Sequence, residues 1–131
     1  KLSSNATLVI KEKLMTDGTE TAKTDFTVDL DGENSSANVI SRSVAKDNSY
    51  QLFLSRINGN NICSGHTECD AIIMGNGKVS AVPEITANHI DASLIHEAAI
   101  GKIAGEQLIK LMTLGLSEQE AEEQIVNGFL K

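Results

Sequence analysis

The sequence predicts a mainly β protein that ends in a small helical hairpin. Short apolar runs with a period of two recur between turn residues along roughly the first 97 residues, which is typical of strands. After Ala104 the apolar residues take up a helical period. With no Trp, one Tyr and three Phe, the core has to be aliphatic. A sandwich, a barrel and a solenoid all fit, and the aliphatic composition favours stacked coils. We expect a β-region over 1–97 and a helical region over 98–131.

The strands are indicated by apolar runs that Gly, Asn and Asp residues separate. These runs occupy residues 26–30, 39–40, 50–54, 71–74, 79–85 and 90–94. Pro83 cannot donate a ladder hydrogen bond, so we expect it at a strand edge or corner. No strict repeat length is apparent, and periodicity alone therefore gives only weak support for a solenoid.

Two short helices are predicted after residue 104. In the first, Leu108 and Leu111 fall on one face, and Gly115 has the position of a left-handed residue just after the helix end. Ser117 and Glu120 have the spacing of a capping box that begins the second helix, which carries Ala121, Ile125 and Phe129. Helices of about ten residues are unstable alone. They dock as a lid on the β-stack, on a partner, or on both.

Charge and cysteine content exclude several classes of function. The chain carries 18 acidic and 11 basic residues, a net charge of −7, which disfavours binding to nucleic acids and to anionic membranes. No apolar run reaches the length of a membrane span. Two cysteines are too few for a disulfide framework, so we expect reduced thiols and a cytoplasmic protein. Because the chain starts at Lys1 in mid-pattern, we expect a fragment of a longer protein.

Cys69 is the first candidate for chemistry, because a thiolate is a sulfur nucleophile and a soft iron ligand. On its own it reads more readily as a small buried apolar residue. Cys63, His66 and Cys69 are spaced like metal ligands, which leaves a zinc-stapled structural domain as an alternative. In a strand, however, His66 would face away from both cysteines. His96 and Glu97 fit either a ligand and base or a surface pair at a strand–helix junction.

Acidic residues leave a second alternative from the enzyme class. Several carboxylates alternate with apolar residues near the start of the chain: Asp25, Asp29, Asp31 and Glu33. Paired acids on a β-stack are compatible with a β-helix polysaccharide lyase or hydrolase. Such sites usually need aromatic platforms for sugar rings, and this chain has few aromatic residues.

Ordered motifs over the second half of the chain resemble the SufB/SufD family of iron–sulfur cluster assembly scaffolds. The resemblance runs from about residue 63 to residue 131. It is carried by the segments 65–70 (GHTECD), 82–85 (VPEI), 96–99 (HEAA), 106–108 (EQL), 115–117 (GLS) and 125–129 (IVNGF). Over 1–62 the chain resembles the family only in its generic β-coils.

The resemblance implies a fold, a site and partners. The fold is a right-handed parallel β-helix followed by a C-terminal helical region. The site is Cys69, His96 and Glu97, which would receive persulfide sulfur and iron at a subunit interface and hold a nascent cluster transiently. No cofactor is bound permanently. Ile95 stands where SufB has a further glutamate. Cys69 and the 127–129 ending look more like SufB than SufD, and a single-type homodimer is equally open.

The implied partners are a SufB/SufD paralogue or an identical chain, a cysteine desulfurase or sulfur carrier, and a SufC-type ATPase. The ATPase would dock on the terminal helices, in the region of Leu108, Leu111, Ile125 and Phe129. ATP hydrolysis would belong to that partner, so the chain itself is expected not to be an enzyme. Cys63 receives no role.

Overall fold

The structure, a computed structural model, describes residues 1–131 as seven strands followed by two helices. The elements are β1 (Thr7–Thr16), β2 (Thr21–Leu30), β3 (Ser35–Ala45), β4 (Tyr50–Gly59), β5 (Cys63–Ile73), β6 (Lys78–Ala87), β7 (Ala92–Lys102), α1 (Gly105–Thr113) and α2 (Glu118–Leu130). The mainly β class and the C-terminal helices predicted from the sequence are thereby confirmed.

The strands form two parallel sheets between which the chain alternates. One sheet has the order β1-β3-β5-β7 and the other the order β2-β4-β6. Each coil contributes one strand to each sheet, which gives a parallel β-solenoid of about three turns. Thr7 pairs with Ser36 and Ser35 pairs with Cys63, so equivalent residues of successive coils are 29 or 28 positions apart.

This repeat has a signal in the sequence that pattern reading missed. The turns after β2, β4 and β6 stack, and Asn60 Nδ2 donates to Asp31 Oδ1 over 2.6 Å while Asn88 Nδ2 donates to Asn60 Oδ1 over 2.7 Å. Side-chain amide ladders of this kind recur at the coil length. The three turn residues at 31, 60 and 88 are therefore the recurring feature from which the coil length could have been read.

The core consists of inward side chains that alternate with outward ones along each strand. One buried cluster joins Leu30, Ile57 and Cys63 with their neighbours. A second joins Val39, Phe53 and Cys69. Apart from Phe53 and the two thiols, these buried residues are aliphatic, and they fill the narrow space between the two sheets, as the low aromatic content predicted.

The interior becomes polar at the corner where β1 and β3 end and β4 begins. Thr16 Oγ1 donates to Ser49 Oγ over 2.9 Å, and Gln51 Nε2 donates to Thr16 Oγ1 over 2.9 Å and to the Val44 carbonyl over 3.0 Å. The buried amide and hydroxyls are thus hydrogen-bonded to one another, which offsets the cost of removing them from water. At this corner of the coils a polar network joins the buried apolar residues Val44 and Ala45 in stabilising the interior.

The last strand continues past the boundary expected at residue 97 and ends at Lys102. Residues 98–101 pair with β5 in the same register as the rest of β7. The local composition does not reveal this continuation of the strand, because Ala and Gly do not strongly favour either the period of a strand or the period of a helix. The helices then begin at Gly105.

The helical hairpin lies against the side of the solenoid. Ser117 accepts from the Glu120 N–H over 3.2 Å and its own N–H donates to the Glu120 carboxylate over 2.8 Å, which confirms the capping box. Gly115 has φ +95°, as predicted for a left-handed residue after α1. Helix α2 buries Ala121 and Val126 and packs on β3. Strands β6 and β7 remain largely exposed, so the helices do not close that end, contrary to the lid interpretation.

Candidate functional site

Cys69 lies inside the solenoid at the middle of β5. Its register partners are Ser41 on β3 and Ala98 on β7. Its side chain is 1% exposed and packs with Val39 and Phe53. Because residues along a strand alternate between faces, the buried residues at 67 and 71 confirm that Cys69 points inward.

The environment of Cys69 keeps its thiol protonated. Burial is the largest cause, and the negative charges of Asp70 and Glu12 add to it, so that the pKa of Cys69 rises from 9.0 to about 11. Glu12 enters the same inner row from β1, where its carboxylate accepts hydrogen bonds from Ser41 over 2.8 Å and from Thr24 over 2.7 Å. At neutral pH Cys69 is therefore a thiol and not a free thiolate.

His96 also points into the interior, from β7. It is the register partner of the buried Thr67, and the Thr67 hydroxyl and His96 Nδ1 share a hydrogen bond. The other ring nitrogen, Nε2, is buried and has no hydrogen-bond partner. Burial, followed by the charge of His66, lowers the pKa of His96, and Glu97 opposes this. The lowered pKa favours the neutral form of the ring. If Nδ1 donates to Thr67, Nε2 presents a free lone pair.

Cys69 and His96 lie on the same inner face of neighbouring strands. His96 is level with Thr67, two residues before Cys69. Strand spacing and rise give a Cα separation of about 8 Å for such a diagonal pair. A thiol and an imidazole at this separation can reach toward one ion. The structure therefore brings these two predicted residues together.

Glu97, the third predicted residue, lies on the opposite face of the sheet. As the next residue along β7 it points outward, where its Oε2 is 2.9 Å from His66 Nε2. His66 Nδ1 is in turn 3.0 Å from Asn38 Oδ1. Glu68, the register partner of Glu97, completes an outward group with His66. The structure thus divides the predicted site between an inner pair and an outer cluster.

The zinc-staple alternative lacks its geometry. Cys63 and Cys69 are both buried on the inner face, whereas His66 is on the outer face with Asn38 and Glu97 as partners. The three side chains cannot share one ion across the sheet. Cys63 packs in the aliphatic cluster with Leu30 and Ile57, which gives it the role of a core thiol.

Three residues of these sites were missed by sequence reasoning. Thr67 and Glu12 are polar residues within strands, where the alternation alone does not show whether they face the core. The sequence offers His66 only as a possible zinc ligand together with the two cysteines, whereas its partners in the structure are Asn38 and Glu97. The coil length is the signal that could have found them, because a shift of 28 or 29 residues places Asn38, His66 and Ile95 in one row.

The residues predicted to bind an ATPase are not the most exposed apolar residues of the helical hairpin. Leu108, Leu111, Ile125 and Phe129 are all half-buried, and α1 packs against α2. The exposed large apolar side chains of this region lie elsewhere on and after α1, at Ile109, Met112 and Leu114. No helix in the structure is long and apolar enough to cross a membrane.

Comparison with known proteins supplies the family. The model of the SufBD core domain, described as SUF system FeS cluster assembly, matches residues 2–129. The chain belongs to the SufBD family. The match to this SufBD core extends over the first 62 residues as well, where the sequence alone resembled the family only in its β-coils.

Curated relatives agree with this assignment. An iron–sulfur cluster assembly SufBD family protein of Methanocaldococcus jannaschii is 39% identical over 112 residues, which cover 85% of this chain and 35% of the relative. One of Archaeoglobus fulgidus is 41% identical over 103 residues, or 78% and 28% of the two chains. One of Staphylococcus saprophyticus is 34% identical over 102 residues, or 75% and 22%. This SufBD chain spans about a third or less of the length of these relatives.

Proposed function

We propose that this SufBD chain is a scaffold subunit for iron–sulfur cluster assembly, at which sulfur and iron meet before a cluster is transferred. The cluster is cargo and stays only transiently, and no cofactor is bound permanently. The chain itself catalyses no ATP hydrolysis. Both cysteines are free, and we place the activity in the cytoplasm, where such thiols stay reduced.

The observation that carries this proposal is the inner pair of Cys69 and His96. Sulfur and imidazole are ligands suited to iron. The two residues lie on neighbouring strands of one face, and His96 Nε2 is buried without a hydrogen-bond partner. A buried polar atom without a hydrogen-bond partner, such as His96 Nε2, lowers the stability of the folded protein. A ligand bound at this position would explain why the protein retains this atom on the same face as the Cys69 thiol.

Both proposed roles of Cys69 begin with loss of its proton, because its pKa is about 11. A bound iron ion would displace the proton and stabilise the thiolate. In sulfur transfer, the Cys69 thiolate would attack the outer sulfur of a persulfide on a cysteine desulfurase or a sulfur carrier. A new S–S bond would form at Cys69, the donor's S–S bond would break, and the donor would leave as a thiolate.

A second subunit is proposed at the uncovered end of the solenoid. Strand β7 is the edge of its sheet, and an unpaired edge offers a full row of backbone donors and acceptors. A SufB/SufD paralogue or an identical chain that pairs there would enclose His96 and supply further ligands to the inner pair. Glu97 remains a proposed iron ligand, on the outer side of the same strand.

The helical region is the proposed docking site for a SufC-type ATPase. The half-buried residues Leu108, Leu111, Ile125 and Phe129 shape the hairpin. Ile109 and Leu114 offer the partner accessible apolar surface, being 62% and 80% exposed. Such exposed apolar side chains close together mark interaction surfaces.

The inner pair is tested by loading the protein with a cluster under anaerobic conditions, in the presence of its ATPase and desulfurase partners. The cluster content is then measured from the visible absorbance and from the amounts of bound iron and sulfide. Cys69→Ala should lower cluster content at least about tenfold. Cys63→Ala is the matched control, because Cys63 is also buried but packs only with apolar residues, and it should load normally. Normal loading of Cys69→Ala would refute the proposed role.

Docking is tested by measuring ATPase binding to Ile109→Ser and Leu114→Ser variants. Loss of this apolar area should weaken the complex clearly, since hot-spot residues at an interface contribute about 2 kcal/mol or more. Ile90→Ser is the control, because Ile90 is also exposed but lies in the turn before β7. Equal binding by all three variants would count against docking on the helices.

A further inference from the structure

The outer face of β5 and β7 carries a second group of ligating side chains. His66 and Glu68 are alternate residues of β5, and Glu97 is the register partner of Glu68 on β7. One ligand atom from each of the three lies within 4.8 Å of the others. Parallel pairing of β5 with β7 brings Glu97 to the other two residues, since Glu97 is 31 positions after His66 in the chain.

We propose that His66, Glu68 and Glu97 form a binding site for a divalent first-row transition-metal ion, separate from the inner pair of Cys69 and His96. One imidazole and two carboxylates suit Fe²⁺, Mn²⁺ and Zn²⁺. The side chains of His66 and Glu97 are 32% and 64% exposed, so an ion can enter from solvent and keep water ligands.

Asn38 is the positioning residue of this site. Its Oδ1 is 3.0 Å from His66 Nδ1, and because an amide oxygen only accepts, the Nδ1–H of His66 donates to it. The contact turns Nε2 toward Glu97, 2.9 Å away. Metal-binding histidines in proteins usually have such an acceptor on their second nitrogen. An ion bound by His66 Nε2 and the Glu97 carboxylate would replace this direct contact.

Crowded negative charge supports a cation at this position. One carboxylate oxygen of Glu68 and one of Glu97 lie within 4.8 Å of each other, beside the ring of His66. Carboxylates that face one another favour a proton or a metal ion between them. A divalent ion would relieve this repulsion along the outer face of β5.

The outer cluster is distinct from the inner pair because a sheet separates them. His96 and Glu97 are consecutive residues that point to opposite sides of β7. Metal binding itself does not depend on the proposed function. The identity of the ion in the cell does, since in cluster assembly the outer cluster would hold incoming Fe²⁺.

The test is a titration of the protein with Co²⁺, in which visible absorption monitors binding. A second titration uses Zn²⁺, and the ¹⁵N chemical shifts of the imidazole rings monitor binding. One equivalent should bind, with the Zn²⁺-induced shift at His66 Nε2. His66→Ala and Glu97→Gln should each weaken binding about 100-fold or more. His89→Ala is the matched control, because its ring also lies near a carboxylate, with Nδ1 4.0 Å from Asp91, but outside the cluster, and it should bind normally.

Two further variants separate this site from alternatives. Asn38→Ala should weaken Co²⁺ binding about tenfold, the usual effect of removing a partner of a metal-bound histidine, and Asn38→Asp should restore it. Cys69→Ala should bind Co²⁺ as the parent does, even if it loads no cluster. The proposal is overturned if His66→Ala binds as tightly as His89→Ala, or if Cys69→Ala abolishes binding and so places the ion at the inner pair.

Discussion

The protonated state of the buried Cys69 thiol should appear directly in the pH dependence of stability. The pKa of Cys69 is 9.0 in the unfolded chain and about 11 in the folded protein. Between these values the unfolded chain loses its proton first, so it binds fewer protons than the native state and stability falls as pH rises. The stabilising effect is fully present below pH 9 and is lost as pH passes through 11.

The size of this effect follows from the same two values. A pKa difference from 9.0 to about 11 corresponds to about 2.7 kcal/mol at high pH, because each tenfold change in proton affinity is about 1.36 kcal/mol. At pH 10 about half of it, or about 1.4 kcal/mol, should already be lost. Replacing Cys69 by alanine removes this titration while the other ionisable groups still titrate.

The assay is urea unfolding under anaerobic, reducing conditions at pH 8 and pH 10 for the parent protein, Cys69→Ala and Cys63→Ala. Stability should fall by about 1.4 kcal/mol more in the parent than in Cys69→Ala. The absolute stability of Cys69→Ala will be lower because of the cavity, but only the change with pH is compared. A parallel pH dependence in the parent and in Cys69→Ala would show that the thiol is not held protonated by folding.

Two further predictions concern packing and the inner imidazole. Gly65→Ala should lower the free energy of unfolding by about 1–3 kcal/mol, because the new Cβ would lie 2.9 Å from Leu94 Cδ2 and 3.1 Å from Ile57 Cγ2. Urea unfolding measures this loss, and Gly101→Ala is the control, because the Cβ there meets nothing within 4 Å. Equal losses of stability in the two variants would contradict the prediction. His96 should titrate below its ordinary pKa of 6.5 in two-dimensional NMR, so that its contribution to stability is present above pH 6.5 and lost as the pH falls; a midpoint at or above 6.5 would disprove its burial.

Much of the fold could be predicted because its signals are local. A period of two, broken by Asn, Asp and Gly, identifies strands wherever it occurs, and the capping box at Ser117 depends on residues only three positions apart. The strand end at Lys102 could not be predicted in this way. Residues 98–101 are small or weakly patterned, and only their pairing with β5 keeps them extended.

The register between coils is not local, and it decides which residues meet. Coils of 29 and 28 residues alternate along each sheet, so no single period aligns the whole sequence. The hydrogen-bonded ladder of Asp31, Asn60 and Asn88 marks the coil length, but such turn residues are common elsewhere. Without the register, the contacts of His66 with Asn38 and Glu97 could not be foreseen.

The separation of His96 from Glu97 follows from strand geometry alone once the register is known. The two residues are adjacent in sequence, which suggested one site, but consecutive residues of a strand point to opposite faces. His96 therefore points to the same inner side as Cys69, where burial of the thiol and partial burial of the ring favour a neutral thiol and a neutral imidazole. Glu97 joins His66 and Glu68 on the wet outer face, where carboxylates can capture a hydrated ion. One pair of strands thus holds the proposed sulfur site on its inner face and the proposed metal site on its outer face, and moving the glutamate by one residue would place its charge in the core.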